Sequence, residues 1–207
     1  RPGLVPDPQW KRRARGEGWY TGETLIHGIG QGYLNATPVQ LASAAAMIAN
    51  RGEPVRPHLF LRARGPGEPR HEPAEPVVPP LELSVPSDWE FVVDAMVGVT
   101  QGERGTARAI GWKSPHTIAG KTGTAQVFGL GQGEEYEEEE IAERLRDHAL
   151  FIAFAPAGDP RIAVGVIVEN GGSGGAVAGP IARAVIKAYL RDGDRQAAAP
   201  EEEQSHG

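Results

Sequence analysis

The chain has 207 residues, 40% of them hydrophobic and 23% charged, a net charge of −6 and no cysteine. These values fit one folded domain of ordinary size with a real core, argue against a nucleic-acid-binding surface, and exclude disulfides and thiolate metal sites. No apolar run approaches a membrane span, and no His-Glu-x-x-His or calcium-loop spacing occurs.

The chain opens Arg1-Pro2-Gly3 with neither initiator Met nor signal peptide, from which an internal or C-terminal piece of a longer protein is expected. Residues 1–24 carry few apolar positions and read as loop, with Lys11, Arg12, Arg13 and Arg15 as a solvated basic face. Gly28-Ile-Gly-Gln-Gly32 lacks the full Gly-x-Gly-x-x-Gly spacing of a phosphate loop and reads as a turn into a helix.

Thr37-Pro38-Val39-Gln40 is a helix start: a Thr N-cap, Pro at the first helical position and Gln three residues after the cap. The Ala-rich run from Leu41 to Ala49 predicts a buried helix, ended by Asn50-Arg51-Gly52. The Pro-rich stretch at about 62–86 reads as a surface loop. Ser87-Asp88-Trp89-Glu90 predicts a second capping box, opening a helix to about Val99.

A strand is predicted within His116-Thr-Ile-Ala-Gly-Lys-Thr-Gly-Thr-Ala-Gln-Val127, followed by a glutamate-rich solvated segment from Glu134 to Glu143 with Glu140–Arg144 support. Leu150–Phe154 and Ile162–Val168 predict two strands, and their short connection favours an antiparallel hairpin. Pro180 to Leu190 predicts a helix with Ile181, Val185 and Tyr189 on its apolar face. From Asp192 onward the acidic, Ala-rich tail is expected to be disordered. Together these elements give an α/β (α+β) arrangement with an antiparallel sheet flanked by helices.

The Lys121-Thr122-Gly123-Thr124 stretch is the chemically pointed one. On a strand, Lys121 and Thr122 face opposite ways, so both reach one ligand only if it lies along the strand edge. Gly120 and Gly123 suit such a close approach, and an extended peptide can then add as a further strand. Lys121 would supply positive charge, Thr122 and Thr124 hydroxyls for a carboxylate, and the Thr124 N–H an oxyanion donor. An ordinary strand with a snorkelling Lys is the plainer alternative.

Lys-Thr-Gly is one of three motifs of the acyl-transfer site shared by penicillin-binding proteins and serine β-lactamases. None of Ser43, Ser84, Ser87, Ser114, Ser173 or Ser205 has the Lys three residues on that the Ser-x-x-Lys motif requires. Four blocks nevertheless resemble the C-terminal part of the transpeptidase domain of class B penicillin-binding proteins. The nearest branch is the elongation type, the penicillin-binding protein 2 group. The blocks are Gly28–Leu41, Ala119–Gln126 continuing to Leu130, Ile141–His148 with the Phe151–Pro156 strand, and Ile162–Gly172.

The resemblance implies a serine D,D-transpeptidase that cross-links peptidoglycan stem peptides and is acylated by β-lactams, with no cofactor. It makes residues 1–191 part of a penicillin-binding transpeptidase domain and 192–207 a tail. It assigns Lys121 to the electrostatics and proton network of catalysis, and Thr122, Gly123 and Thr124 to substrate binding. The nucleophile would lie upstream, so the segment alone is expected to be inactive. Implied partners are stem peptides, β-lactams, a membrane glycosyltransferase and elongation-complex proteins. The implied setting is an inner-membrane anchor with a periplasmic catalytic domain.

Two rivals come from other classes. Gly171-Gly-Ser-Gly-Gly175 matches the Gly-x-Ser-x-Gly elbow of α/β-hydrolases, with Asp192, Asp194, Glu201–Glu203 and His206 as the only downstream acids and base. A flexible glycine turn capping the last helix is the plainer reading. A non-catalytic penicillin-recognising sensor or scaffold would share the Lys-Thr-Gly strand.

Overall fold

Three strands form one antiparallel sheet in the order β1 (Ala119–Ala125), β2 (His148–Ala155), β3 (Ile162–Val168). The computed structural model describes residues 2–60, 78–127 and 143–198, with side chains to Arg191. The helices are α1 (Pro8–Arg15), α2 (Thr21–Gly28), α3 (Pro38–Ala49), α4 (Asp88–Gln101), α5 (Arg108–Gly111) and α6 (Gly179–Ala198). Register runs from Ala119 opposite Phe154 to Ala125 opposite His148, and β2 pairs with β3 from Ala149 opposite Val168 to Ala155 opposite Ile162. The hairpin and the mixed helix–sheet architecture expected from the sequence are therefore present.

Side chains on a strand alternate between faces, and β2 uses both. Phe151 and Ala153 pack with Ile110, Ile118, Ala182, Ile186 and Leu190 on the α6 side. Phe154 joins Val93, Met96, Ala49 and Ala119 on the α3–α4 side, with Ile152 beside them. Each fully buried Phe contributes about 1.5–3 kcal/mol of transfer free energy, so β2 is the central plank of a helix–sheet–helix sandwich.

Helix α3 begins as predicted. The Thr37 hydroxyl accepts from the Gln40 N–H, and the Gln40 side chain accepts in return from the Thr37 N–H. It is only half-buried, however, with Ala45 and Ala49 its buried residues, because a single face meets the sheet. At Gly165 of β3 a Cβ would come within 2.9 Å of the Pro38 carbonyl oxygen, so glycine lets the start of α3 lie directly on the strand. Gly52 takes φ +99° after α3, as a helix-ending glycine should.

The structure corrects several sequence readings. Residues 1–24 are not loop: α1 carries an Asp7 cap that accepts from the Trp10 N–H, Pro at its start and a left-handed Gly16 at its end. Lys11 is not part of a solvated face but 1% exposed, enclosed by Glu17, Glu23 and the Tyr20 ring. Ser87 precedes α4 in helical conformation without a side-chain cap, so the second capping box does not form.

On α6 the buried face is Ala182, Ile186 and Leu190, whereas Ile181, Val185 and Tyr189 are about half exposed. The helix also continues past Leu190 to Ala198, so the expected tail starts as helix. The glutamate-rich segment, most of the Pro-rich loop and residues 199–207 lie outside the described residues.

Candidate active site

The Lys-Thr-Gly sequence occupies the middle of β1, whose one strand partner among the described residues is β2. Among the described residues, no strand pairs with its other edge. In an antiparallel strand the N–H and C=O of a residue point the same way, and successive residues alternate. The Thr124 carbonyl accepts from Gln31 Nε2 at 2.8 Å and the Thr122 carbonyl from Lys121 Nζ at 2.7 Å, neither donor belonging to β2's main chain. Residues 122 and 124 thus turn their main-chain groups to the open edge, with the Thr124 N–H on the same side as its carbonyl.

Thr122 and Lys121 point to opposite faces, as the strand period requires. The Thr122 hydroxyl lies 3.3 Å from the hydroxyl of Thr106, in the turn between α4 and α5. Lys121 is exposed on the other face, and its ammonium curls back to the edge to reach the Thr122 carbonyl. The edge therefore gathers an ammonium, hydroxyls and the main-chain N–H groups of Thr122 and Thr124, an array suited to an extended ligand with a carboxylate end.

Behind this edge lies a turn of π-helix, Gly174–Ala178, packed on β1 and β2. A Cβ on Gly174 would meet the Leu150 carbonyl oxygen at 2.3 Å and the Gly123 carbonyl oxygen at 2.5 Å. On Gly175 it would meet the Thr106 carbonyl oxygen at 2.7 Å and Thr122 Cγ2 at 3.3 Å. The glycine run is a close-packed support for the strand, not a flexible turn. Thr106, Gln31 and Gly174 were not singled out by the sequence as site residues, because only tertiary packing brings them to β1.

Ser173 sits at φ −78°, ψ 117°, ordinary extended backbone, and its hydroxyl accepts from the Ala176 N–H at 3.4 Å as the cap of the π turn. A nucleophile elbow needs a sharp strained turn between strand and helix, which is absent here. The acids and base that the hydrolase reading invoked lie in residues whose side chains are outside those described. The α/β-hydrolase alternative loses its carrying feature.

Gln31 is placed by the N-terminal helices. Lys11 Nζ pairs with Glu23 at 2.6 Å and Glu17 at 3.5 Å and lies 4.0 Å from the centre of the Tyr20 ring, tying α1 to α2. Burial by itself would lower the Lys11 pKa, but the hydrogen bonds and charges of Glu23 and Glu17 outweigh it and raise it above 10.5. The hydrogen bond from Lys11, reinforced by the Tyr20 N–H, holds the Glu23 carboxyl below 4.5.

The penicillin binding protein transpeptidase domain family matches residues 2–187. The chain belongs to that family. The chain is 41% identical over 204 residues to the peptidoglycan D,D-transpeptidase MrdA of Escherichia coli K12, covering 98% of this chain and 31% of that protein. It aligns with the crystal structure of Pseudomonas aeruginosa PBP2 in complex with WCK 5153 at TM-score 0.75 and 46% identity, over 91% of this chain and 38% of that one.

It also aligns with PBP2 of Helicobacter pylori in its complex with MreC, at TM-score 0.71 and 31% identity, over 91% of this chain and 31% of that one. These relatives agree with the penicillin-binding protein 2 branch indicated by the sequence blocks. The chain spans about a third of the length of the proteins it matches. Among the described residues, no helix is long and apolar enough to cross a membrane.

Proposed function

We propose that this chain is the C-terminal part of a peptidoglycan D,D-transpeptidase and supplies one wall of its acyl-transfer site. The observation that carries the reading is the open edge of β1, where Thr122 and Thr124 present main-chain groups and Lys121 an ammonium. A stem peptide ending in D-Ala-D-Ala adds along this edge as a further strand. Thr122 and Thr124 hold its terminal carboxylate, Gly123 lets its backbone come close, and the Thr124 N–H donates to the oxyanion of the tetrahedral intermediate.

A serine supplied from outside this chain attacks the penultimate D-Ala carbonyl. An ester forms, the amide bond to the terminal D-Ala breaks, and that residue leaves as the free amine. An amine of a neighbouring stem peptide then attacks the ester, forming the cross-link and returning the serine hydroxyl. Lys121 supports both halves as a fixed positive charge within the proton network. β-Lactams enter by the first half-reaction and stay as acyl-enzymes.

Family membership is the ground for expecting an inner-membrane anchor with a periplasmic catalytic domain, and the H. pylori PBP2–MreC complex is the model for an elongation-assembly partner. A membrane glycosyltransferase is the expected source of the glycan strands.

Fluorescent-penicillin labelling of the full natural polypeptide containing this segment tests the reading. Lys121→Ala should nearly abolish labelling, and Ser173→Ala should leave its rate unchanged. Full-rate labelling of Lys121→Ala would remove the strand from the site, and loss in Ser173→Ala would restore the hydrolase alternative.

A further inference from the structure

Away from the β1 edge, the segment leading into β1 meets α6. There a cleft of about 320 Å³ is bounded on one side by Lys113, Pro115 and Ile118 and on the other by Arg183, Ile186 and Lys187, with Arg191 also in its lining. Its size falls within the range of ligand pockets. Among the described residues none that lines it is acidic, although the chain as a whole carries a net charge of −6.

The helix explains how the charge is arrayed. At 3.6 residues per turn, the buried spine Ala182–Ile186–Leu190 separates two flanks. One flank is apolar, Ile181, Val185 and Tyr189; the other is cationic, Arg183, Lys187 and Arg191, and it is the cationic flank that faces the cleft. Arg183 is anchored: Nη1 donates to the Ala109 carbonyl at 3.0 Å and Nη2 to the Trp112 carbonyl at 2.9 Å. Those partners are neutral, so the guanidinium keeps its charge uncompensated by them while its position is fixed.

Residues four apart on a helix rise by about 6 Å. Side chains on one face of an extended peptide repeat at about 6.6–6.8 Å. The cationic flank therefore matches, in spacing, alternate side chains of an extended strand. On the opposite wall the exposed Pro115 would receive the intervening side chains, with Lys113 beside it as a further cation.

We infer that this cleft binds an extended acidic segment of a partner protein, in which carboxylates alternate with apolar residues. Carboxylates line up on Arg183 and Lys187, and the apolar side chains pack on Pro115. Because Ile118 immediately precedes β1, the bound segment would sit against the root of the Lys-Thr-Gly strand. The inference does not depend on the proposed transpeptidase chemistry.

The test uses the full natural polypeptide and two fluorescent pentapeptides, one alternating aspartate and leucine, the other with the same residues in blocks. Fluorescence anisotropy should show the alternating peptide binding more tightly than the block peptide. Lys187→Glu should weaken the alternating peptide roughly tenfold, as reversal of an interfacial charge does. The thermal midpoint of the same variant should stay at the wild-type value, which shows that it is folded. Equal binding of the two peptides, each displaced alike by tripolyphosphate, would mean unspecific anion attraction and overturn the inference. Undiminished binding to folded Lys187→Glu would overturn it too.

Discussion

Gly174→Ala puts the support of the Lys-Thr-Gly strand to a direct test. The new Cβ would sit 2.3 Å from the Leu150 carbonyl oxygen, 2.5 Å from the Gly123 carbonyl oxygen and 3.1 Å from the Gly123 nitrogen. A carbon–oxygen contact settles at about 3.3–3.6 Å, so the backbones must part by roughly 1 Å. All three atoms are main chain, and no side-chain tip can swing away to absorb the overlap. Overpacking of this kind costs about 1–3 kcal/mol.

The displacement falls on Gly123, between Thr122 and Thr124. A misplacement of about 1 Å at a reacting geometry costs about a hundredfold in rate. In the full polypeptide, Gly174→Ala should therefore lower the thermal midpoint and slow fluorescent-penicillin acylation by about two orders of magnitude. Gly98→Ala is the control: its Cβ enters open space on α4, so stability should rise by about 0.5–1 kcal/mol with acylation unchanged. Wild-type acylation and midpoint in Gly174→Ala would refute the packing of the π turn against the strand.

Thr100 is fully buried and its hydroxyl donates to the Ile118 carbonyl at 2.5 Å, joining α4 to the start of β1. Thr100→Val should destabilise the protein by about 1–3 kcal/mol in chemical denaturation, and an unchanged midpoint would deny the bond its weight. The Lys11–Glu23 pair predicts a pH signature in the thermal midpoint of the wild type relative to Glu23→Gln. Glu23 titrates below 4.5 in the folded protein, so its stabilisation is complete above that value and disappears as pH falls through the lowered pKa. Lys11 titrates above 10.5, so its share is complete below that value and disappears as pH rises through the raised one. The advantage of the wild type should hold across the middle range and shrink at both ends; a difference constant with pH would contradict the pairing.

How much the sequence disclosed depended on whether the signal was local. The α3 start was legible because Thr37, Pro38 and Gln40 act within one turn. The β2–β3 hairpin was legible from two apolar runs and a short connection. Helix α1 carried its own punctuation, Asp7, Pro8 and Gly16, but its few apolar residues outweighed these in the reading. Its buried anchor is Lys11, which hydrophobic patterning counts as surface.

On α6 two stripes, 181–185–189 and 182–186–190, share the same spacing, and periodicity favours the bulkier one. The sheet selected the stripe containing Ala182, because a small residue lets the helix lie close. At the candidate site the Lys-Thr-Gly stretch was visible as a motif. Its company was not: Gln31 reaches Thr124 across 93 residues of chain and Thr106 reaches Thr122 across 16, separations that no local pattern encodes.

A sheet edge kept open for one peptide is open in principle to every other strand, including those of unfolded or neighbouring molecules, and such edges seed aggregation. On β1 the two exposed acceptors do not stand bare. Lys121 and Gln31 cover the Thr122 and Thr124 carbonyls with side-chain donors. A stray strand must displace both before it gains any ladder bonds. A ligand ending in a carboxylate gains that lysine as a partner instead. On the proposed reading, the same two side chains shield an unpaired edge from stray strands and still admit an anionic peptide.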